Sequence, residues 1–116
     1  MTKHRIRLYK AEYRCLVEAL RRRVCFNRDP KKTITEQWTG LGCRTEYKQA
    51  ETHGYMRIAT APNPGCMTWW ALTPLGAAIV KQWLRRGFTP DYTDGGHGTP
   101  VNKQGEAPPR DLVVMV

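Results

Sequence analysis

The sequence predicts an α+β fold in which three or four helices pack around a small antiparallel hairpin. Three observations carry that expectation. LYKAEYRCLVEALRRRV (8–24) places Tyr13, Leu16, Val17, Leu20 and Val24 at helical spacing with charges between them. YMRIA and MTWWAL are rich in strand-forming residues and flank Pro62-Asn63-Pro64-Gly65, a turn composition, so the pair reads as a hairpin. Thr73-Pro74 then opens an apolar periodic segment that stops at Arg85-Arg86-Gly87, which are helix start and stop signals.

Taken in order, the first helix ends in Arg21-Arg22-Arg23, cations that complement the dipole at a helix C-terminus. Asn27, Asp29 and Pro30 interrupt it and make FNRDPKK a loop. TITEQWTGLG (33–42) predicts a short helix or helical turn, capped by Thr33 or Thr35 and anchored by Ile34, Trp38 and Leu41. A further helix runs through CRTEYKQAETHGY and closes at Gly54, a residue type suited to the left-handed position after a helix. Tyr47 and Ala50 share one side of it. Thr45, Lys48, Gln49 and Thr52 form an i, i+3, i+4, i+7 stripe on the other, with no apolar member.

In the hairpin, Met56 and Ile58 alternate with Tyr55, Arg57 and Ala59, and Trp69 and Trp70 must point to opposite faces. Leu75, Ala78, Ile79, Trp83 and Leu84 form the expected buried side of the last helix. Ile6 and Leu8, alternating with charges in HRIRLY, offer a short third strand to the same sheet. From Phe88 onward the chain is dense in Gly, Pro and polar residues without periodicity, which predicts a domain over 1–87 and a flexible tail over 88–116. That tail ends in Leu112-Val113-Val114-Met115-Val116. Such an end adds a strand to a sheet edge, its own or a partner's, or else frays. Leu112, Val113 and Val114 are therefore candidate partner-binding residues, with Asn63 at the hairpin tip.

The charge is uneven. Of 19 Lys and Arg and 10 Asp and Glu, residues 1–57 hold fourteen basic and six acidic, so the net charge of +9 lies almost wholly in the first half. A positive lobe attracts polyanions, nucleic acid or acidic protein surfaces, although solubility alone also accounts for such a balance. The early basic residues lack an apolar core behind them, so no signal peptide is expected. The apolar run 69–80 is broken by Thr73-Pro74 and too short for a bilayer, which predicts a cytoplasmic protein with reduced cysteines and no membrane partner.

Cys15, Cys25, Cys43 and Cys66 are dispersed, without a C-x-x-C pair or clustered histidines, so no metal site is expected and Cys15 reads as a small core residue. An enzyme is not expected either. The chain has no serine, and no phosphate-binding or dinucleotide-binding glycine motif. Cys43 and His53, the one thiol–imidazole pairing to consider, lie ten residues apart on one helix, roughly 15 Å at 1.5 Å per residue. No cofactor is implied.

The residues His53-Gly54-Tyr55-Met56 and Trp70-Ala71-Leu72-Thr73-Pro74-Leu75-Gly76 carry a resemblance. A helix ending in Gly-Tyr, a hairpin, and a second strand running into Leu-Thr-x-x-Gly at the next helix resemble the winged helix-turn-helix family, including bacterial and phage regulators of the MarR and PadR type. The resemblance spans roughly residues 8–87 and implies a winged helix with a two- or three-stranded antiparallel wing. It further implies a transcriptional regulator that inserts the helix around 44–53 into the major groove of double-stranded DNA. Arg44 and Lys48 then meet phosphate or guanine, Gln49 reads adenine, and Thr45 and Thr52 reach phosphates or a thymine methyl. Arg21, Arg22, Arg23, Lys31, Lys32 and Arg57 supply backbone contacts. One such domain contacts few base pairs, so a homodimer is expected.

A second reading keeps the fold and changes the partner. Glu46 and Glu51 share the helix with Lys48, and the wing tip ATAPNPGC has no cation. A small phage or mobile-element winged helix that binds and modulates a host protein complex has the same features, and a solvated helix face explains the polar stripe without any ligand. Exposed aromatics that stack on single-stranded bases make RNA a third partner to consider.

Overall fold

A computed structural model describes residues 1–21, 38–40, 44–59, 69–89 and 100–116; for 38–40, 44–47, 58–59 and 69–70 it describes the backbone alone. Eight elements lie in these residues: β1 (Lys3–Arg7), α1 (Lys10–Arg21), β2 (Trp38–Gly40), α2 (Arg44–Thr52), β3 (Met56–Ala59), β4 (Trp69–Leu72), α3 (Pro74–Arg85) and β5 (Asp111–Met115). The architecture mixes helices with two small antiparallel sheets, in orders β1-β5 and β2-β4-β3. The expected α+β class holds at that level.

α1 begins where the capping chemistry says it should. Glu12, the third helical residue, reaches back so that its Oε2 accepts the Tyr9 N–H at 2.6 Å, half of a capping box. The inner side of α1 is Cys15, Leu16, Ala19 and Leu20, all buried. Cys15 is buried, as expected, and in no disulfide.

α2 and α3 end in the same device. After α2, Gly54 takes φ +82°, its N–H donates to the Glu51 carbonyl and the Tyr55 N–H to the Ala50 carbonyl. After α3, Gly87 takes φ +92°, its N–H donates to Leu84 and the Phe88 N–H to Trp83. Each is a Schellman motif closed by its apolar pair, Ala50 with Tyr55 and Trp83 with Phe88, all four buried in one core. Both glycines are the ones the sequence marks as helix ends.

The hairpin forms in the expected order. β3 and β4 pair antiparallel with Met56 opposite Leu72 and Ile58 opposite Trp70; the turn residues 60–68, Asn63 among them, lie outside the described residues. Thr73 caps α3, its Oγ1 accepting the Gly76 N–H at 3.1 Å, and Pro74 sits in the first turn where a missing N–H costs nothing. The buried side of α3 centres on Ala77, Ile79, Val80 and Trp83, whereas Leu75, Ala78 and Leu84 pack against its margin.

Three expectations are corrected. Trp38–Gly40, expected in a helical turn, is a strand that pairs with β4, Thr39 opposite Trp70. The remainder of 33–42 is outside the described residues. The third strand of the hairpin sheet is thus β2, and the segment HRIRLY instead builds β1 in a separate sheet with β5, Ile6 opposite Leu112 and His4 opposite Val114. Finally, a boundary at residue 87 with a flexible tail beyond it does not describe residues 100–116. Leu112 and Val114, expected at a partner surface, are spent on the protein's own core with Ile6 and Leu8. Burying apolar side chains of that size stabilises by about 1.5–3 kcal/mol each, enough to hold a terminal strand in place.

The approach to β5 is tied down through the carbonyls of two consecutive prolines. The Tyr13 hydroxyl donates to the Pro108 carbonyl at 2.6 Å and the Trp83 indole N–H to the Pro109 carbonyl at 3.1 Å. Tyr13 and Trp83 meet edge to face at 5.8 Å, and the Arg110 guanidinium lies 4.7 Å from the Tyr13 ring centre. The C-terminal end therefore straps α1 to α3.

Candidate functional site

α2 presents the stripe read from the sequence. Lys48, Gln49, Glu51 and Thr52 are exposed, while Ala50 is fully buried and fixes which way the helix turns. Arg44 and Thr45 belong to the first turn of the same helix. Thr52 is partly committed: its hydroxyl donates to the Lys48 carbonyl at 3.0 Å, leaving the methyl group and an acceptor lone pair to face outward. Thr52 is therefore no free donor to a phosphate, which narrows its expected role to apolar contact.

The end of α2 is held from two directions. His53, its ring half exposed, pairs through Nδ1 with Oε1 of Glu12, a carboxylate that is 2% exposed. Glu12 thus spends one oxygen on the start of α1 and the other on the end of α2. Buried carboxylates persist only when paired in this way. Tyr55, next along the chain, has its phenol pushed up from the ordinary range, first by burial and then by the negative charge of Glu12.

From the other side, the Thr73 hydroxyl donates to the Gly54 carbonyl at 2.5 Å and the Thr73 N–H to the Tyr55 carbonyl at 3.2 Å. Gly76 then passes directly over Tyr55: a Cβ there would stand 2.1 Å from the Tyr55 carbonyl oxygen. The two quoted motifs, His53-Gly54-Tyr55 and Leu72-Thr73-Pro74-Leu75-Gly76, are therefore two sides of one junction. It fixes α2 against both the hairpin and α3.

The cations expected along a phosphate backbone are not all equivalent. Arg57 is exposed on β3, the strand that follows α2. Arg21 is exposed at the end of α1 but shares its guanidinium with Glu18 at 3.2 Å. Arg22, Arg23, Lys31 and Lys32 lie outside the described residues, as do the side chains of Arg44 and Thr45. What the sequence did not point to is a second cationic surface. Lys3, Arg5 and Arg7 are all exposed on β1, alternating with the inward His4 and Ile6. The signal was present in K-H-R-I-R, where the strand period applied to the charges as well as to the apolar residues.

Among the described residues no group of three or more His, Cys, Asp or Glu is arranged to hold a metal ion, and no helix is long and apolar enough to cross a membrane. No protein-family model, curated protein or solved structure matches the chain.

Proposed function

We propose that the protein is a sequence-specific DNA-binding regulator of winged-helix type that lays the outward side of α2 in the major groove. The observation that carries this reading is the pairing of a polar outward side with a rigid seat. Lys48, Gln49 and Thr52 face solvent on a helix whose last turn is bound by Glu12, Thr73 and a Schellman motif. A recognition helix needs such a seat, because base-edge hydrogen bonds tolerate little positional slack. The element order supports it: α1, β2, α2, then the β3–β4 hairpin with β2 alongside, then α3. The net charge of +9 supports it as well.

In this reading Gln49 makes the bidentate contact to adenine, Lys48 meets guanine or phosphate, and the Thr52 methyl meets a thymine methyl. Arg44 and Thr45 act from the first turn, and Arg57, Arg21, Arg22, Arg23, Lys31 and Lys32 neutralise phosphates. Glu51 on the same side is accommodated opposite a cytosine amino group. Duplex binding measured across a salt series tests the reading. Six phosphate contacts give a slope of about −5.4 in log affinity against log salt; an absence of duplex binding at low salt sinks it. The second reading, a protein-binding module, is favoured by a different surface, the edge of β1 that nothing bonds among the described residues.

A further inference from the structure

Among the described residues, the two-stranded sheet has one edge reached by a neighbouring element and one that nothing bonds. Its ladder pairs residue 2 with 116, 4 with 114, 6 with 112 and 8 with 110. The Thr2 N–H donates to Val116 at 2.6 Å, the Val116 N–H to Thr2 at 2.9 Å, and the Leu8 N–H to Arg110 at 2.9 Å. In an antiparallel ladder the alternate residues turn their backbone groups outward. On β5 those are Asp111, Val113 and Met115, and α3 reaches this edge: the Gln82 amide donates to the Val113 carbonyl at 2.7 Å. On β1 they are Lys3, Arg5 and Arg7. Among the described residues nothing bonds to their outward N–H and C=O groups, and none of the three side chains is in an ion pair.

These residues couple two recognition elements at one period. Each offers a backbone donor and acceptor to an added strand, and each carries a cation on the outer side of the sheet, repeating every two residues, or roughly 6.8 Å. We propose that the outer edge of β1 docks an extended acidic segment of a partner protein, which adds a strand beside Lys3–Arg7 and sets alternate carboxylates against Lys3, Arg5 and Arg7. A peptide fits better than a nucleic acid, because only a peptide supplies backbone donors and acceptors at this spacing. A second copy of this chain fits worse. Two β1 edges paired antiparallel about Arg5 would set Arg5 against Arg5 and Lys3 against Arg7, like charges directly opposite. The same cations that prevent self-pairing thereby select an acidic partner. No residue of this edge is among those assigned to DNA, so this proposal and the DNA reading stand or fall independently.

The test is fluorescence anisotropy of the full chain with a labelled nine-residue peptide that alternates Glu with Thr. Its control carries the same residues with the Glu nitrogens methylated. The expected result is salt-sensitive binding of the first peptide and at least about tenfold weaker binding of the control, for loss of the ladder bonds. Arg5→Ala is expected to weaken binding severalfold. Arg5→Pro is expected to weaken it further, since it also removes an outward N–H without touching the bonds to β5. Thermal melts of both variants establish that they fold, and Lys3→Ala replaces either one that does not. Equal binding of the two peptides, or of Arg5→Ala and Arg5→Pro, overturns the added strand. If neither peptide binds and Arg5→Ala instead weakens binding of a DNA or RNA oligonucleotide, β1 is a nucleic-acid contact and the proposal falls.

Discussion

Gly76→Ala inverts an ordinary rule of helix energetics. Gly76 is the third residue of α3, and replacing a helical glycine by alanine normally stabilises by about 1 kcal/mol. Here the new Cβ would stand 2.1 Å from the Tyr55 carbonyl oxygen, 3.0 Å from the Tyr55 carbonyl carbon and 3.2 Å from Leu72 Cδ2. The first two are backbone atoms, and they cannot turn aside as a side chain would. The Tyr55 carbonyl accepts the Thr73 N–H, and the neighbouring Gly54 carbonyl accepts the Thr73 hydroxyl. Relief therefore requires α3 to move away from the hairpin. Overpacking of this kind costs about 1–3 kcal/mol, and each Thr73 hydrogen bond stretched or broken adds about 1 kcal/mol. After subtracting the propensity gain, the variant should be less stable by about 2–4 kcal/mol. For a chain of 116 residues that lowers Tm by about 8–16 °C. Thermal melts followed by far-UV circular dichroism read it directly. Gly54→Ala is the reference: φ is +82° but the space is open, so its loss is about 1–2 kcal/mol, from the backbone conformation alone. A Gly76→Ala variant as stable as wild type would refute the close approach of α3 to Tyr55, and with it the junction that seats α2.

Glu12→Ala should destabilise by about 2–4 kcal/mol in urea unfolding, because both the Tyr9 N–H and His53 lose a partner at a buried site. Glu12→Gln keeps the Tyr9 bond and should lose roughly half as much; equal losses would argue against the shared-carboxylate arrangement. Stability should also fall at alkaline pH. The Tyr13 phenol is raised by burial, partly offset by Arg110, and the Tyr55 phenol by burial and then Glu12. An unfolded phenol ionises near pH 10 while these hold their protons higher. The stabilisation is thus complete below pH 10 and is lost as pH rises through the folded values. Urea titrations from pH 8 upward should show Tyr55→Phe flattening that loss, and an unchanged pH slope would contradict it.

The parts of the fold set by local chemistry are legible in the sequence. Gly54 and Gly87 are left-handed helix ends, and Thr73-Pro74 is a helix start. Each works through bonds to residues within a few positions, so the spacing alone exposes them. The exposed stripe Lys48, Gln49 and Thr52 is legible for the same reason. What is not legible is non-local. β5 pairs with β1 from the opposite end of the chain, and its approach through Ala107-Pro108-Pro109 has the composition of a flexible segment. Only the fold shows that those proline carbonyls meet the Tyr13 hydroxyl and Trp83 indole. β2 is missed because three residues cannot display a period, and its neighbour in the sheet, β4, comes much later in the chain. The Glu12–His53 pair is likewise invisible, since a helix-start glutamate and a helix-end histidine each have an adequate local explanation.

The central claim is that the outward side of α2 reads DNA sequence. Selection of preferred duplexes from a random pool, by wild type, Lys48→Ala and Gln49→Ala, tests it most directly. Both side chains are exposed, so neither substitution should disturb the core. The account predicts a defined wild-type preference and, in Gln49→Ala, relaxed choice at one adenine position worth about 1–3 kcal/mol of discrimination. Identical preferences in all three proteins, or none in wild type, would contradict it.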